Sequence, residues 1–296
     1  MKPAAFDYFA PKSIDEALAL LREYGYAAKP LAGGQSLVPT MNFRLSQPGV
    51  LIDLNGIDEL FFIREADDGL RIGAMTRQRT VERSPLIQRR APLIHETMPH
   101  IAHPQIRNRG TFGGSLAHAD PASELPVLAV TLDARLRVQS SRSERWVDAR
   151  DFYVDLFATD LQPDELLVEI AVPDLPPRTG WAFDEVARRH GDYAMAGAAA
   201  TVTLAADGSI VAARLVYLSV GDYPTQAFQA EAALIGEQPT SAAIRAAAEI
   251  AAAQDIAPGS DIHASAAYRR HLAKVLAERV LARAVERAKT TTDDGR

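Results

Sequence analysis

The sequence predicts an α+β protein of two domains, and three observations carry that reading. Residues 1–54 lay out strand, loop, helix and strand in β-α-β order. Pro173, Pro176 and Pro177, followed by Gly180, then interrupt the chain. Beyond that break, three extended stretches precede a long alanine-rich run with helical period. At 296 residues the chain is long enough to bury a full core in each domain.

Each element has a local reason. Ser13-Ile14-Asp15-Glu16 is a capping box, with a hydroxyl N-cap and a carboxylate three residues on. Ala17, Leu18, Leu20 and Leu21 continue an apolar face, and Gly25 stops the helix. Lys29 to Ala32 reads as a short strand running into a glycine pair; Ser36 is placed to cap the helix that follows, and Val50 to Leu54 is the next strand. Residues 61–64 and 70–73 flank Asp67-Asp68-Gly69 and predict a hairpin. A helical stretch from about Pro92 to Ala102 leads to a second glycine pair, and Asp120-Pro121 predicts a helix start running to about Leu132. Leu136 to Val138 and Leu166 to Val172 are further strands. After the proline break, strands are expected at Trp181 to Arg188, Gly197 to Leu204 and Ile210 to Val220. Helices follow, including Ser241 to Ala253 and about Ala264 to Ala288, before a polar, frayed tail.

Composition removes whole classes of function. A formal charge of −6 gives no electrostatic footprint for nucleic acid or an anionic membrane surface. No apolar run approaches a membrane span, and the first residues carry neither a signal-peptide core nor a twin-arginine pair, so a cytoplasmic protein is expected. Cysteine is absent, which rules out disulfides, thiolate nucleophiles, sulfur-ligated zinc and a cysteine-held iron–sulfur cluster. The seven histidines form no HExxH or i, i+4 pair, so no metal site is expected.

The two glycine pairs, Ala32-Gly33-Gly34-Gln35-Ser36 and Thr111-Phe112-Gly113-Gly114-Ser115, share one chemical frame. Residues without Cβ can turn successive amides toward one point, and a neighbouring hydroxyl adds a donor. Two such loops predict a ligand with two adjacent anionic groups, which a dinucleotide pyrophosphate satisfies.

Ordered motifs extend this pattern: Ile106-Arg107-Asn108-Arg109-Gly110 before the second pair, Ala119-Asp120-Pro121 with Glu124-Leu125-Pro126 after it, and Gly191-Asp192-Tyr193. In these the chain resembles, over nearly its whole length, the FAD-binding medium subunits of the molybdenum hydroxylases, a group that includes carbon monoxide, nicotine and xanthine dehydrogenases. The resemblance implies a PCMH-type FAD-binding domain of two α/β subdomains (1–176, divided into about 1–56 and 57–176). A smaller domain with a three-stranded antiparallel sheet and a helical bundle (177–290) and a flexible tail (291–296) would follow. It implies that residues 32–36 and 111–115 converge on the pyrophosphate and that Glu124, where many relatives have Asp, contacts cofactor hydroxyls. It further implies that Tyr193 stands beside the isoalloxazine, with Ile101 and Ala102 bordering the other side.

The implied function is electron transfer: FAD here receives electrons from [2Fe-2S] clusters of a small partner subunit and passes them to an external acceptor. Those electrons originate at a molybdenum cofactor in a large subunit, the whole forming a dimer of heterotrimers. No residue of this chain need be catalytic in the substrate reaction. Gln35, Ser115 and His118-Ala119-Asp120 depart from the carbon monoxide dehydrogenase pattern and favour a branch acting on N-heteroaromatic or ketone substrates. Two other readings stand beside this one, a self-contained FAD oxidase or reductase and a non-catalytic assembly subunit. Residue by residue, Arg107 and Arg109 read equally as groups that steady phosphate or a partner's acidic surface and as solvated rims, and Tyr193 as a flavin neighbour or a core-edge ring. His103 and His118 read as proton handlers or plain loop residues, and Asp120 as a helix cap.

Overall fold

In the computed structural model, which describes residues 2–290, the chain folds around three apolar clusters. The expected tail, 291–296, lies outside the described residues.

The first lobe is a small parallel sheet in which Val50–Asp53 runs between Asp7–Phe9 and Ala28–Leu31. Helix Ile14–Tyr24 covers it with Ala17, Leu18 and Leu21, which are buried at one-turn spacing. Ser13 Oγ accepts from the Glu16 amide (3.2 Å), while the Glu16 carboxylate reaches back to the Lys12 amide (2.7 Å). The capping box therefore closes one residue further out than its usual reciprocal bond. The parallel strands end side by side, so the loops leaving Leu31 and Asp53 are neighbours, the crevice where open parallel sheets place ligands.

The second lobe differs from a parallel α/β unit. Its sheet is antiparallel, in the order Ile63–Ala66, Gly69–Gly73, Leu166–Pro173, Arg135–Gln139, Glu144–Asp148. A two-stranded ribbon, Tyr153–Asp155 with Ala158–Thr159, lies outside it. The helix expected at Asp120-Pro121 begins instead at Glu124. Asp120 Oδ1 accepts from the Ala122 amide (2.9 Å) and its carbonyl from the Ser123 amide (2.9 Å), a turn that postpones the helix to Glu124–Thr131.

The C-terminal sheet holds the three expected strands, Thr179–Ala187, Ala194–Leu204 and Ile210–Leu218. A two-residue fourth, Thr225–Gln226, was not anticipated. The sheet is buried on both faces. Ala196, Ala198, Ala200 and Val202 pack toward helix Ala266–Thr290, whereas Ala199, with Phe183, Val216 and Leu218, joins the core of the second lobe. Helix and sheet approach so closely that a Cβ on Gly180 would lie 1.9 Å from the Ala284 carbonyl oxygen.

Candidate functional site

The loop leaving Leu31 carries the first glycine pair. Gly34 has φ +71°, a left-handed turn that favours glycine. Among the described residues, no acceptor pairs with the amides of Gly33, Gly34, Gln35 or Ser36. Gly33, Gly34 and Gln35, three of these four, line a cavity of about 310 Å³ that Asp53, Asn55 and Arg109 also line. Consecutive free amides around a left-handed glycine are an anion-binding arrangement. Ser36 has helical dihedrals and its hydroxyl makes no capping bond, contrary to its expected role.

The second glycine pair works differently. Its amides are already engaged: Phe112 N donates to Thr76 O (2.9 Å), Gly113 N to Ala74 O (2.8 Å), Gly114 N to Thr111 Oγ1 (3.1 Å) and Ser115 N to Thr111 O (3.2 Å). Thr111, Phe112 and Gly113 are buried, with Phe112 wholly inside the core. The expectation of two amide nests is therefore corrected to one. The second pair needs glycine for packing, because a Cβ on Gly113 would stand 2.6 Å from Ala74 Cβ and one on Gly114 would stand 3.1 Å from Ala32 Cβ. Likewise a Cβ on Gly33 would meet Arg109 O at 2.5 Å and Gly110 Cα at 2.7 Å. The loops do converge, and their glycines are what lets one backbone lie against the other.

A second wall forms from segments far apart in sequence. Arg107, 4% exposed, donates to the carbonyls of Ile101 (2.7 Å) and Ala102 (3.2 Å) and is held by the Glu82 carboxylate (2.9 Å). It is a buried strut, neither a phosphate ligand nor a solvated rim. Ala102 takes φ +44°, strained for a residue with a Cβ, and the strut pins it there. Gly191, at φ +85°, rests on this segment, since a Cβ there would meet His103 Cε1 at 2.5 Å and Ala102 O at 2.9 Å. Two residues beyond this contact, Tyr193 is 67% exposed, an open ring and not a core-edge one. His103 is exposed, and His118 packs on Phe157 (5.3 Å), where burial lowers its pKa.

Behind this wall, His100 Nδ1 lies 3.2 Å from Glu185 Oε1, an acid partner that raises the histidine's pKa. Burial, reinforced by Glu185, pushes the half-buried Glu124 carboxyl up to about 8. Glu124 is thus neutral in the folded chain at pH 7 and ionised in the unfolded chain. Between roughly pH 4.5 and 8 the native state binds the extra proton, so this group makes stability fall as pH rises. His100 pulls in the same direction. Glu124→Gln should therefore flatten, without abolishing, the decline of thermal midpoint across that window; an unchanged slope would show that Glu124 ionises freely in the fold.

Two family models match the chain. Residues 4–175 match the FAD binding domain in molybdopterin dehydrogenase, and residues 181–284 match the CO dehydrogenase flavoprotein C-terminal domain. The chain belongs to the FAD-binding medium subunits of the molybdenum hydroxylases. It is 46% identical, over 99% of both chains, to the alpha subunit of the 6-hydroxypseudooxynicotine dehydrogenase complex of Paenarthrobacter nicotinovorans. It is 41% identical, over 97% of both, to the beta subunit of caffeine dehydrogenase from a Pseudomonas strain. Among solved structures, carbon monoxide dehydrogenase from Hydrogenophaga pseudoflava matches with a TM-score of 0.94 at 40% identity, covering 97% of this chain and 99% of that one.

As a medium subunit, the chain carries its FAD-binding domain on the first two lobes. The fold brings Ala32 and Gly33 of the first loop against Gly114 and the Arg109-Gly110 lead-in of the second, and it seats Gly191, two residues before Tyr193, on Ala102 and His103. Asp53, Asn55 and Arg77 escaped the sequence reading. The available signal was their place in the chain, since Asp53-Leu54-Asn55 leaves the strand adjacent to the first glycine loop. Among the described residues, no helix is long and apolar enough to cross a membrane.

Proposed function

We propose that this chain is the electron-transfer subunit of a molybdenum hydroxylase complex, receiving electrons from the iron–sulfur clusters of a small partner and releasing them to an external acceptor. A large molybdopterin-binding subunit completes the complex, as a dimer of heterotrimers. The observation that carries the cofactor's placement is the run of four unpaired amides, Gly33 to Ser36, the first three on a cavity that Arg109, just ahead of the second loop, also lines. Those amides suit a diphosphate, and Arg109, which lines the same cavity, adds positive charge. Thr111 to Ser115 shape the site by holding the first loop in place. Glu124, neutral at pH 7, can donate as well as accept toward cofactor hydroxyls. Ile101 and Ala102 offer backbone to one side of the ring, and the open Tyr193 ring covers the other.

Bound FAD takes up electrons singly and gives them up in pairs, which suits an exit station. The chain's residues bind and orient the cofactor and exclude water from it. With no cysteine the chain holds no cluster of its own, so the iron–sulfur relay must lie on another subunit. The nicotine-derivative and caffeine dehydrogenase relatives support an N-heteroaromatic or ketone substrate for the complex.

Anaerobic titration tests this reading. With candidate substrates, the flavin of the isolated chain should stay oxidised and should bleach only when the co-purified partners are present. Bleaching of the isolated chain would instead identify a self-contained flavoenzyme. Tyr193→Ala should leave FAD bound but shift its midpoint potential or oxygen reactivity; unchanged values would reduce the ring to packing.

A further inference from the structure

Resting on the proposed placement of the diphosphate at the first glycine loop, we infer that Asn55 is a positioning residue that aims the loop's amides at that ligand. A trans peptide unit is planar, and its carbonyl and N–H point in opposite directions. All peptide bonds of the described chain are trans. Whatever grips the Ala32 carbonyl therefore sets the direction of the Gly33 N–H on the other side of the same plane. Asn55 Nδ2 donates to Ala32 O at 3.0 Å. The next plane is gripped in the same way: Gln35 Nε2 donates to Gly33 O at 3.1 Å and so sets the Gly34 N–H. The third is set by the Val38 amide on Gly34 O (3.2 Å), which directs the Gln35 N–H.

Asn55 can do this because its own amide cannot turn over. Nδ2 also donates to Asp53 Oδ1 (2.5 Å), and Oδ1 accepts from Arg77 Nη2 (2.5 Å). Reversal would set a carbonyl oxygen against a carboxylate and an NH₂ against a guanidinium. Asp53 is held in turn by the Tyr8 hydroxyl (2.5 Å) and the Asn55 backbone amide (2.9 Å). These bonds keep its pKa low although burial raises it. Arg77 spends its second Nη on the Arg109 carbonyl (2.6 Å), so one guanidinium ties the segment after Asp53 to the lead-in of the second glycine loop. The network explains why a carboxylate can line a cavity meant for a diphosphate: its lone pairs are committed to Tyr8 and Asn55, and its charge is opposed by Arg77 and Arg109.

The test uses the full chain stripped of FAD and retitrated with FAD, and Asn55→Ala removes the grip without adding charge. A misdirected amide should weaken FAD binding roughly tenfold or more. At saturating FAD, the ³¹P resonances of the bound diphosphate should move while the flavin absorption maxima stay put, a signature that a general loss of stability would not produce. Wild-type ³¹P shifts with affinity within twofold would overturn the inference. Should Asn55→Ala not fold, Arg77→Lys carries the same readout, because one ammonium cannot bridge the two acceptors as the guanidinium does; wild-type ³¹P shifts there would overturn it equally. Gly34→Val separates the two levels. Retained affinity in Gly34→Val would mean the loop is not the diphosphate site, and both readings would go; lost affinity there with wild-type behaviour at position 55 would remove this inference alone.

Discussion

Gly33→Ala should lose FAD affinity by about ten- to a hundredfold, and Gly33→Val should not retain the cofactor through purification. The added Cβ has nowhere to go. It would stand 2.5 Å from the Arg109 carbonyl oxygen and 2.7 Å from Gly110 Cα, both backbone atoms that cannot rotate aside. Overpacking of this kind costs about 1–3 kcal/mol, which matches the range in affinity if the loops must be in contact to bind. The cause is separation of the two loops, not obstruction of the ligand's own space. Both the FAD dissociation constant and the thermal midpoint of the FAD-free chain should therefore change. If affinity falls while the FAD-free midpoint is untouched, the Cβ is meeting ligand and not Arg109, and the packing argument is wrong.

The second large effect is expected at Arg107. Its guanidinium, almost wholly enclosed, neutralises Glu82 and supports the Ile101 and Ala102 carbonyls. Removing one member of a buried ion pair costs about 3–5 kcal/mol when the other charge is left alone; here Arg79 still faces Glu82 at 2.8 Å, so the loss falls at the lower end of that range and comes as much from the two carbonyls left without a donor. Arg107→Ala should therefore lower the thermal midpoint by on the order of 10 °C. It should also release Ala102 from its left-handed conformation, disturbing the flavin's visible absorption. Arg107→Lys should rescue little, since one ammonium cannot serve a carboxylate and two carbonyls in that fixed fork. In an Arg107→Ala/Glu82→Gln double variant, part of the loss should return; equal losses in single and double variants would show that the ion pair is not what matters.

Much of the fold was legible because its signals are local. The capping box, the hairpin at Asp67-Asp68-Gly69, the proline break and the helical period of the alanine-rich segment each depend on residues a few positions apart. The glycine loops were legible as a pair, and so was their meeting. What each loop does there was not. The acceptors that engage the second loop, Ala74 and Thr76, lie nearly forty residues upstream, and only the folded sheet brings them beneath Gly113 and Phe112. Arg107 misleads for a related reason. Arginine belongs at the surface by default, and here the Glu82 carboxylate, far upstream and outside any short-range pattern, and the carbonyls of Ile101 and Ala102 compensate its burial. The network of Asp53, Asn55 and Arg77 is invisible to short-range patterns, since its members come from two lobes.

The alanine-rich strand Ala194–Leu204, covered on both faces, bears on how the molecule can be taken apart. Cleavage near the prolines would bare the sheet's Phe183 and Ala199 side on one fragment and the matching apolar surface of the second lobe on the other. Neither piece would stay soluble by itself. The region that delivers Tyr193 is thus indivisible from the lobe it faces, and the flavin's environment is inherited, lost or redesigned only as a whole.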